Sequence, residues 1–214
     1  MARFRSEMTE AMDSLCGRDP VLDGLIARHG VPLIPRRAPA TRRFHELAQS
    51  IAYQQLHGSA AAAIWDRVVA TLGGGVVTAA AMLAGDPEDL RGCGLSGAKT
   101  RSMLDLADRV ETGTLRLGRM GAMDDDAVID ALTPVWGIGR WTAQMFLIFT
   151  LGRLDVWPEG DFGVRTGYAK AWGLGATPTE AEMAPIGEPF AGARSLVAWY
   201  CWRAAESGDG ARSG

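Results

Sequence analysis

Apolar residues recur three or four positions apart along most of the chain, and no stretch sustains the strict alternation of a half-buried strand. The pattern predicts an all-α protein whose helices are set off by capping residues, prolines and glycines. Asp19-Pro20 reads as an N-cap with proline at the first helical position, opening a helix through Leu22, Leu25 and Ile26 that stops near Gly30. A proline-rich link from Val31 to Pro39 follows. Thr41 is expected to cap a helix carrying Phe44, Leu47 and Ile51 and reaching toward Leu56. Gly58-Ser59 opens the next, through Ile64, Trp65 and Val68, until Gly73-Gly74-Gly75 breaks it. Asp86-Pro87 starts a short helix ending at Gly92, and Ser96 caps a longer one through Met103, Leu104, Leu106 and Val110. Further helices are expected from the acidic run Asp124-Asp125-Asp126 through Leu132, from Thr142 to Leu151, from Asp161 to Trp172, and from about Pro189 to Ala205. The tail after Ser207 reads as disordered.

With 214 residues and 47% hydrophobic content, the chain can bury a full core. No long apolar run is present near the N-terminus, so neither a signal peptide nor a membrane span is expected, and the cytoplasm is the expected compartment. Cys16, Cys93 and Cys201 are far apart and make no CxxC pair, which argues against a zinc site, an iron–sulfur cluster or a disulfide framework. All three read as buried small hydrophobes. The three consecutive aspartates at 124–126 sit where a helix begins and read as a dipole-favoured N-terminus rather than a metal site. A net charge of −3 excludes general coating of nucleic acid, so any DNA contact must be local.

The segment Val135-Trp136-Gly137-Ile138-Gly139-Arg140-Trp141-Thr142-Ala143 carries the candidate chemistry. A Gly-x-Gly turn between helices lets main chain approach a ligand closely and aims successive amide N–H groups outward, as a phosphate requires. Beyond it lies a lone carboxylate, Asp161, after Trp157-Pro158-Glu159-Gly160. With Leu132 upstream, the hairpin resembles that of the helix-hairpin-helix DNA glycosylase superfamily, whose catalytic aspartate follows at a fixed distance; Asp161 lies 22 positions beyond Gly139, which fits. Other stretches resemble the alkylation-repair branch, the DNA-3-methyladenine glycosylase type II proteins: Ile51 to His57, Gly94 to Lys99, Ala193-Arg194-Ser195, and Trp199 to Arg203. Together these cover most of the chain from about residue 40 onward.

The resemblance implies a two-domain helical fold, with one domain from about residue 38 to 151 carrying the hairpin, a second built from residues 1–37 and 152–214, and the active-site cleft between them. It implies a monofunctional enzyme of base excision repair that flips an alkylated base out of duplex DNA and hydrolyses its N-glycosidic bond, leaving an abasic site. Asp161 would stabilise the positive charge developing on the sugar, with Glu159 its nearest rival and a plain helix N-cap its structural alternative. Gly137, Ile138, Gly139, Arg140, Thr142, Gln54, Gln55, Arg194 and Ser195 would contact DNA, and Leu56 or His57 would wedge the duplex. Gln54 and Gln55 could equally brace their loop, and Arg194 could equally pair with an acid in the fold. Trp141, Tyr53 and Phe146 would line the base pocket. Family members that also cut the strand carry a lysine nucleophile at the position of Trp141; an indole cannot form a Schiff base, and its face suits a cationic alkylated purine. Ala193 departs from the family, which usually has an aromatic residue there, and Phe146 and Trp136 are possible substitutes. No cofactor is required by the resemblance beyond a structural potassium or sodium ion on hairpin carbonyls near Pro134, Gly137 and Gly139. The expected partner is double-stranded DNA with alkylated bases, with no membrane and no nucleotide cofactor, and the expected state is a monomer. A non-catalytic damage sensor or architectural DNA binder using the same hairpin is the rival from another class.

Overall fold

The computed structural model describes residues 2–56 and 58–206. His57 and the tail after Ser207 therefore lie outside the described residues. All regular structure among the described residues is helical, and the chain divides into two compact units, residues 37–151 and residues 1–36 with 152–214.

The chain enters through α1 (Ala2–Leu15) and α2 (Pro20–His29). The sequence pattern did not announce α1, because charged residues dilute its apolar positions. Its spacing is nevertheless helical: Phe4 and Met8 are half-buried, and Ala11 and Leu15 are buried on the same face. Cys16, just beyond, is exposed, which corrects its reading as a buried hydrophobe; Cys93 and Cys201 are buried. For α2 the Asp19 carboxylate accepts the Val21 and Leu22 N–H groups, and Gly30 ends the helix at φ +68°.

The unit spanning residues 37–151 contains α3 (Arg43–Tyr53), α4 (Gly58–Thr71), α5 (Ala79–Ala84), α6 (Pro87–Gly92), α7 (Gly97–Glu111), α8 (Asp125–Leu132) and α9 (Arg140–Met145). Thr41 does not cap α3: it sits in a 3-10 turn, Ala40–Arg42, whose Arg42 N–H already bonds Pro39 O. Asp86 and Ser96 cap α6 and α7 as their spacing predicts. The expected helix from Thr142 to Leu151 begins two residues earlier and changes character midway, continuing from α9 as a π-helical segment over Phe146–Thr150. Leu47, Ile51, Val68, Met82, Leu90, Met103, Leu106, Leu132 and Phe146 form this unit's core, all fully buried.

The chain returns to the first unit through α10 (Phe162–Ala171), α11 (Glu180–Gly187) and α12 (Arg194–Glu206). The last helix starts at Arg194 rather than Pro189, because residues 188–190 form a 3-10 turn and Gly192, at φ +93°, reverses the chain. α10 and α12 pack unusually closely. A Cβ at Gly167 would collide with the main-chain carbonyl of Cys201, so only glycine allows α12 this near. Leu15, Leu22 and Tyr200 complete that core, and the Tyr200 hydroxyl donates to Gly30 O at 2.8 Å.

Candidate active site

The hairpin between α8 and α9 is built from a small set of bonds. Val135 N–H bonds Leu132 O, and Ile138 N–H bonds Val135 O. Gly137 turns the chain at φ +79°, where an alanine Cβ would also come within 3.0 Å of Ser102 Oγ. Gly139 occupies the N-cap of α9 and has no side chain with which to cap the first turn. Arg140 and Trp141 are exposed, whereas Ile138 and Thr142 are buried, so Ile138 offers only main chain to a ligand. The Thr142 hydroxyl is also withdrawn from any DNA contact: it accepts the Gln54 side-chain amide at 3.0 Å. That amide reaches the Gly137 carbonyl as well, at 3.3 Å, so Gln54 braces the hairpin against the loop after α3.

Helix α7 fixes the hairpin from its other side. Asp105 Oδ2 accepts the Trp136 N–H at 2.7 Å and the Arg109 Nε–H at 3.1 Å. Burial pushes the Asp105 carboxyl upward, but these two bonds and the nearby Arg101 charge hold it below the usual carboxylate range. The Arg101 guanidinium lies over the Trp136 ring at 4.4 Å. Phe146 is completely buried in the core, so it neither lines a base pocket nor stands in for the aromatic residue missing at Ala193. Tyr53, the last residue of α3, is half-buried. In the following turn Gln55 adopts φ +55°, and Leu56 is exposed. A non-glycine residue in that region is rare and costs energy, so the turn is held in a defined, strained shape.

In the other unit, Asp161 is the N-cap of α10 and is buried, at 7% exposure. Two donors converge on its Oδ1: the Val164 N–H at 2.8 Å and the Trp202 indole N–H at 2.9 Å. Glu159 is half-buried in the preceding turn, ahead of the helix. Burial beside Asp161 drives the Cys201 thiol far above its ordinary range, so it is inert. Two expected DNA contacts are corrected here. Arg194 forks onto Asp155, with Nε to Oδ1 at 2.7 Å and Nη2 to Oδ2 at 3.0 Å, tying the start of α12 to the segment before Asp161. The Ser195 hydroxyl is fully buried and exchanges bonds with the Val156 main chain.

The family described as HhH-GPD superfamily base excision DNA repair protein matches residues 48–190. The chain belongs to the HhH-GPD superfamily. This HhH-GPD protein is 32% identical over 206 residues to DNA-3-methyladenine glycosylase 1 of Schizosaccharomyces pombe, covering 95% of this chain and 90% of that one. Among solved structures, the 3-methyladenine DNA glycosylase of S. pombe in complex with abasic DNA matches with a TM-score of 0.82 and 32% identity, over 91% of this chain and 95% of that one. A DNA-3-methyladenine glycosidase from Bacillus halodurans matches with a TM-score of 0.79 and 31% identity, over 92% and 89% respectively.

In this HhH-GPD protein, sequence reasoning passed over Asp105 and Gly163, and took Trp202 only as part of the stretch from Trp199 to Arg203, with no role of its own. Trp202 and Asp161 are 41 positions apart, and Asp105 and Trp136 are 31 apart, so neither pair leaves a local pattern. Gly163 and Gly167 do leave one, a glycine every fourth residue on α10, the mark of a close helix contact. No group of His, Cys, Asp and Glu suited to a metal ion occurs among the described residues. The hairpin carbonyls are the hard oxygen donors that an alkali ion takes, and each has a second lone pair beyond the bond it accepts, Gly137 O from Gln54 and Gly139 O from Ala143 N–H. No described helix is long and apolar enough to cross a membrane.

Proposed function

We propose that this protein is a monofunctional DNA glycosylase that removes alkylated bases of the 3-methyladenine type from duplex DNA. The observation that carries the reading is a buried carboxylate, Asp161, oriented by two donors in a chain of this superfamily. In an alkylated purine nucleotide the base already carries positive charge. The C1′–N bond breaks with its electron pair going to the base, which leaves neutral, and positive charge moves to the sugar. Asp161 stabilises that charge electrostatically. Water then bonds to C1′ and loses its proton to solvent, giving an abasic site.

The absence of strand cleavage follows from the lysines. Trp141 stands where a lysine nucleophile would, and of the two lysines in the chain, Lys99 donates to Ala52 O at 2.8 Å from a partly buried amine, while Lys170 sits in the last turn of α10, at the opposite end of that helix from Asp161. The exposed Trp141 ring offers a face to a cationic base. The hairpin main chain around Gly137 and Gly139, with Arg140, grips the DNA backbone. Carbonyls at Pro134, Gly137 and Gly139 would hold a potassium or sodium ion, which would supply positive charge at the hairpin. Leu56, exposed on its turn, or the adjacent His57 wedges the duplex.

The test is single-turnover release of base from methylated duplex DNA by wild type and by Asp161→Asn. Asparagine caps helices as well as aspartate, so α10 should stay formed and thermal stability should change by less than about 1 kcal/mol. Base release is expected to fall by more than roughly a hundredfold. Strands should stay intact until alkali is added. DNA binding without release by the wild type, on alkylated and deaminated substrates alike, would instead mark a damage sensor.

A further inference from the structure

We propose that Trp202 is a positioning residue for this reaction, its indole N–H fixing the Asp161 carboxylate in the orientation from which it acts. The proposal rests on the reading of Asp161 as the catalytic carboxylate. Any aspartate N-cap accepts a main-chain N–H from its own first turn, as Asp161 does from Val164. That bond is local to α10 and ties one carboxylate oxygen to the first turn of its own helix. The second donor comes from a different helix, 2.9 Å away on the same oxygen, and the two together set the plane of the carboxylate and distinguish its oxygens.

The sequence makes room for this contact. A Cβ on Gly163 would lie 2.9 Å from Trp202 Cδ1, 3.3 Å from its Nε1 and 3.2 Å from Asp161 Oδ1, so glycine is what lets indole and carboxylate meet. One turn later Gly167 admits the α12 main chain itself. The chemistry of the donor also suits the task. An arginine or lysine would hold Asp161 equally well, but its charge would offset the negative charge that the developing sugar cation needs. A neutral N–H orients the carboxylate and leaves its charge in place, and an indole nitrogen neither accepts a bond nor takes a proton.

The test replaces Trp202 by phenylalanine and, because that ring is smaller, also by 3-benzothienylalanine, which keeps the outline of the indole and puts sulfur in place of the N–H. Single-turnover release from methylated duplex at saturating enzyme, the Kd for an abasic duplex, and Tm are measured for each. The expected result is release slower by about ten- to a hundredfold in both variants. Kd should stay within about twofold, and in an Asp161→Asn background the same replacements should slow release no further. Undiminished release by the benzothienyl variant overturns the proposal, as does an equal loss with and without the Asp161 carboxylate, which would mark a packing role. Both results presuppose a wild type that releases base; a wild type that releases none overturns the glycosylase reading itself.

Discussion

Gly137 and Gly139 sit two residues apart in one turn, yet the structure asks different things of them. Gly137 has φ +79° and Ser102 against the position of its missing Cβ; Gly139 has φ −95° and open space there. Gly137→Ala should therefore cost about 1–2 kcal/mol from the left-handed backbone alone, more with the Ser102 contact, and weaken DNA binding with it. Gly139→Ala should leave Tm unchanged and weaken DNA binding only, because a methyl there obstructs close approach of a phosphate to main chain. Chemical denaturation paired with DNA anisotropy separates the two, and equal losses of stability would refute the distinction. Residues whose role is set by local backbone, such as the capping Asp161 and these glycines, could be recognised in the sequence. Those defined by a distant partner could not. Gln54, Thr142, Arg194 and Ser195 have polar groups that suit DNA, and only the fold shows them engaged with Gly137, Asp155 and Val156 instead.

Helices were legible in proportion to their punctuation. Asp19-Pro20, Asp86-Pro87 and Ser96 each cap a helix through a side-chain oxygen, a local event that leaves a local signature. α11 carries such a signature too, the reciprocal capping box of Thr179 and Glu182, but it is short and holds proline at 185, which masks it. α5 is a single alanine-rich stretch too short to show an apolar stripe, although Thr78 caps it by accepting the Ala81 N–H. The pair α10 and α12 gives the sharpest consequence at this scale. Gly167→Ala would drive a methyl into the Cys201 carbonyl, and main chain cannot swing aside as a side chain can. The helices must separate, at a cost of about 3 kcal/mol. Because Trp202 follows Cys201 on α12, separation also draws the indole from Asp161, so base release should fall along with Tm. A Gly167→Ala protein with unchanged Tm would show that the two helices are not held as close as described.

The charge of the whole molecule shapes how it meets DNA. A chain with net charge −3 has no general attraction for a polyanion, and on the proposed reading its contact rests on the hairpin, where Gly137, Gly139 and Arg140 are exposed. Neutral N–H donors bind a phosphate oxygen without displacing the counterions that cations displace, so they add affinity but no salt dependence. The expected plot of log Kd against log salt for an abasic duplex, between about 50 and 200 mM, is therefore shallow. Two to four neutralised phosphates would give a slope of roughly 2 to 4 in magnitude. Arg140→Ala should reduce that slope by about one while weakening binding to damaged and undamaged duplex alike, because a phosphate contact positions without reading bases. A slope steeper than about 6 would require a broad cationic surface and would move the principal DNA contact away from the hairpin.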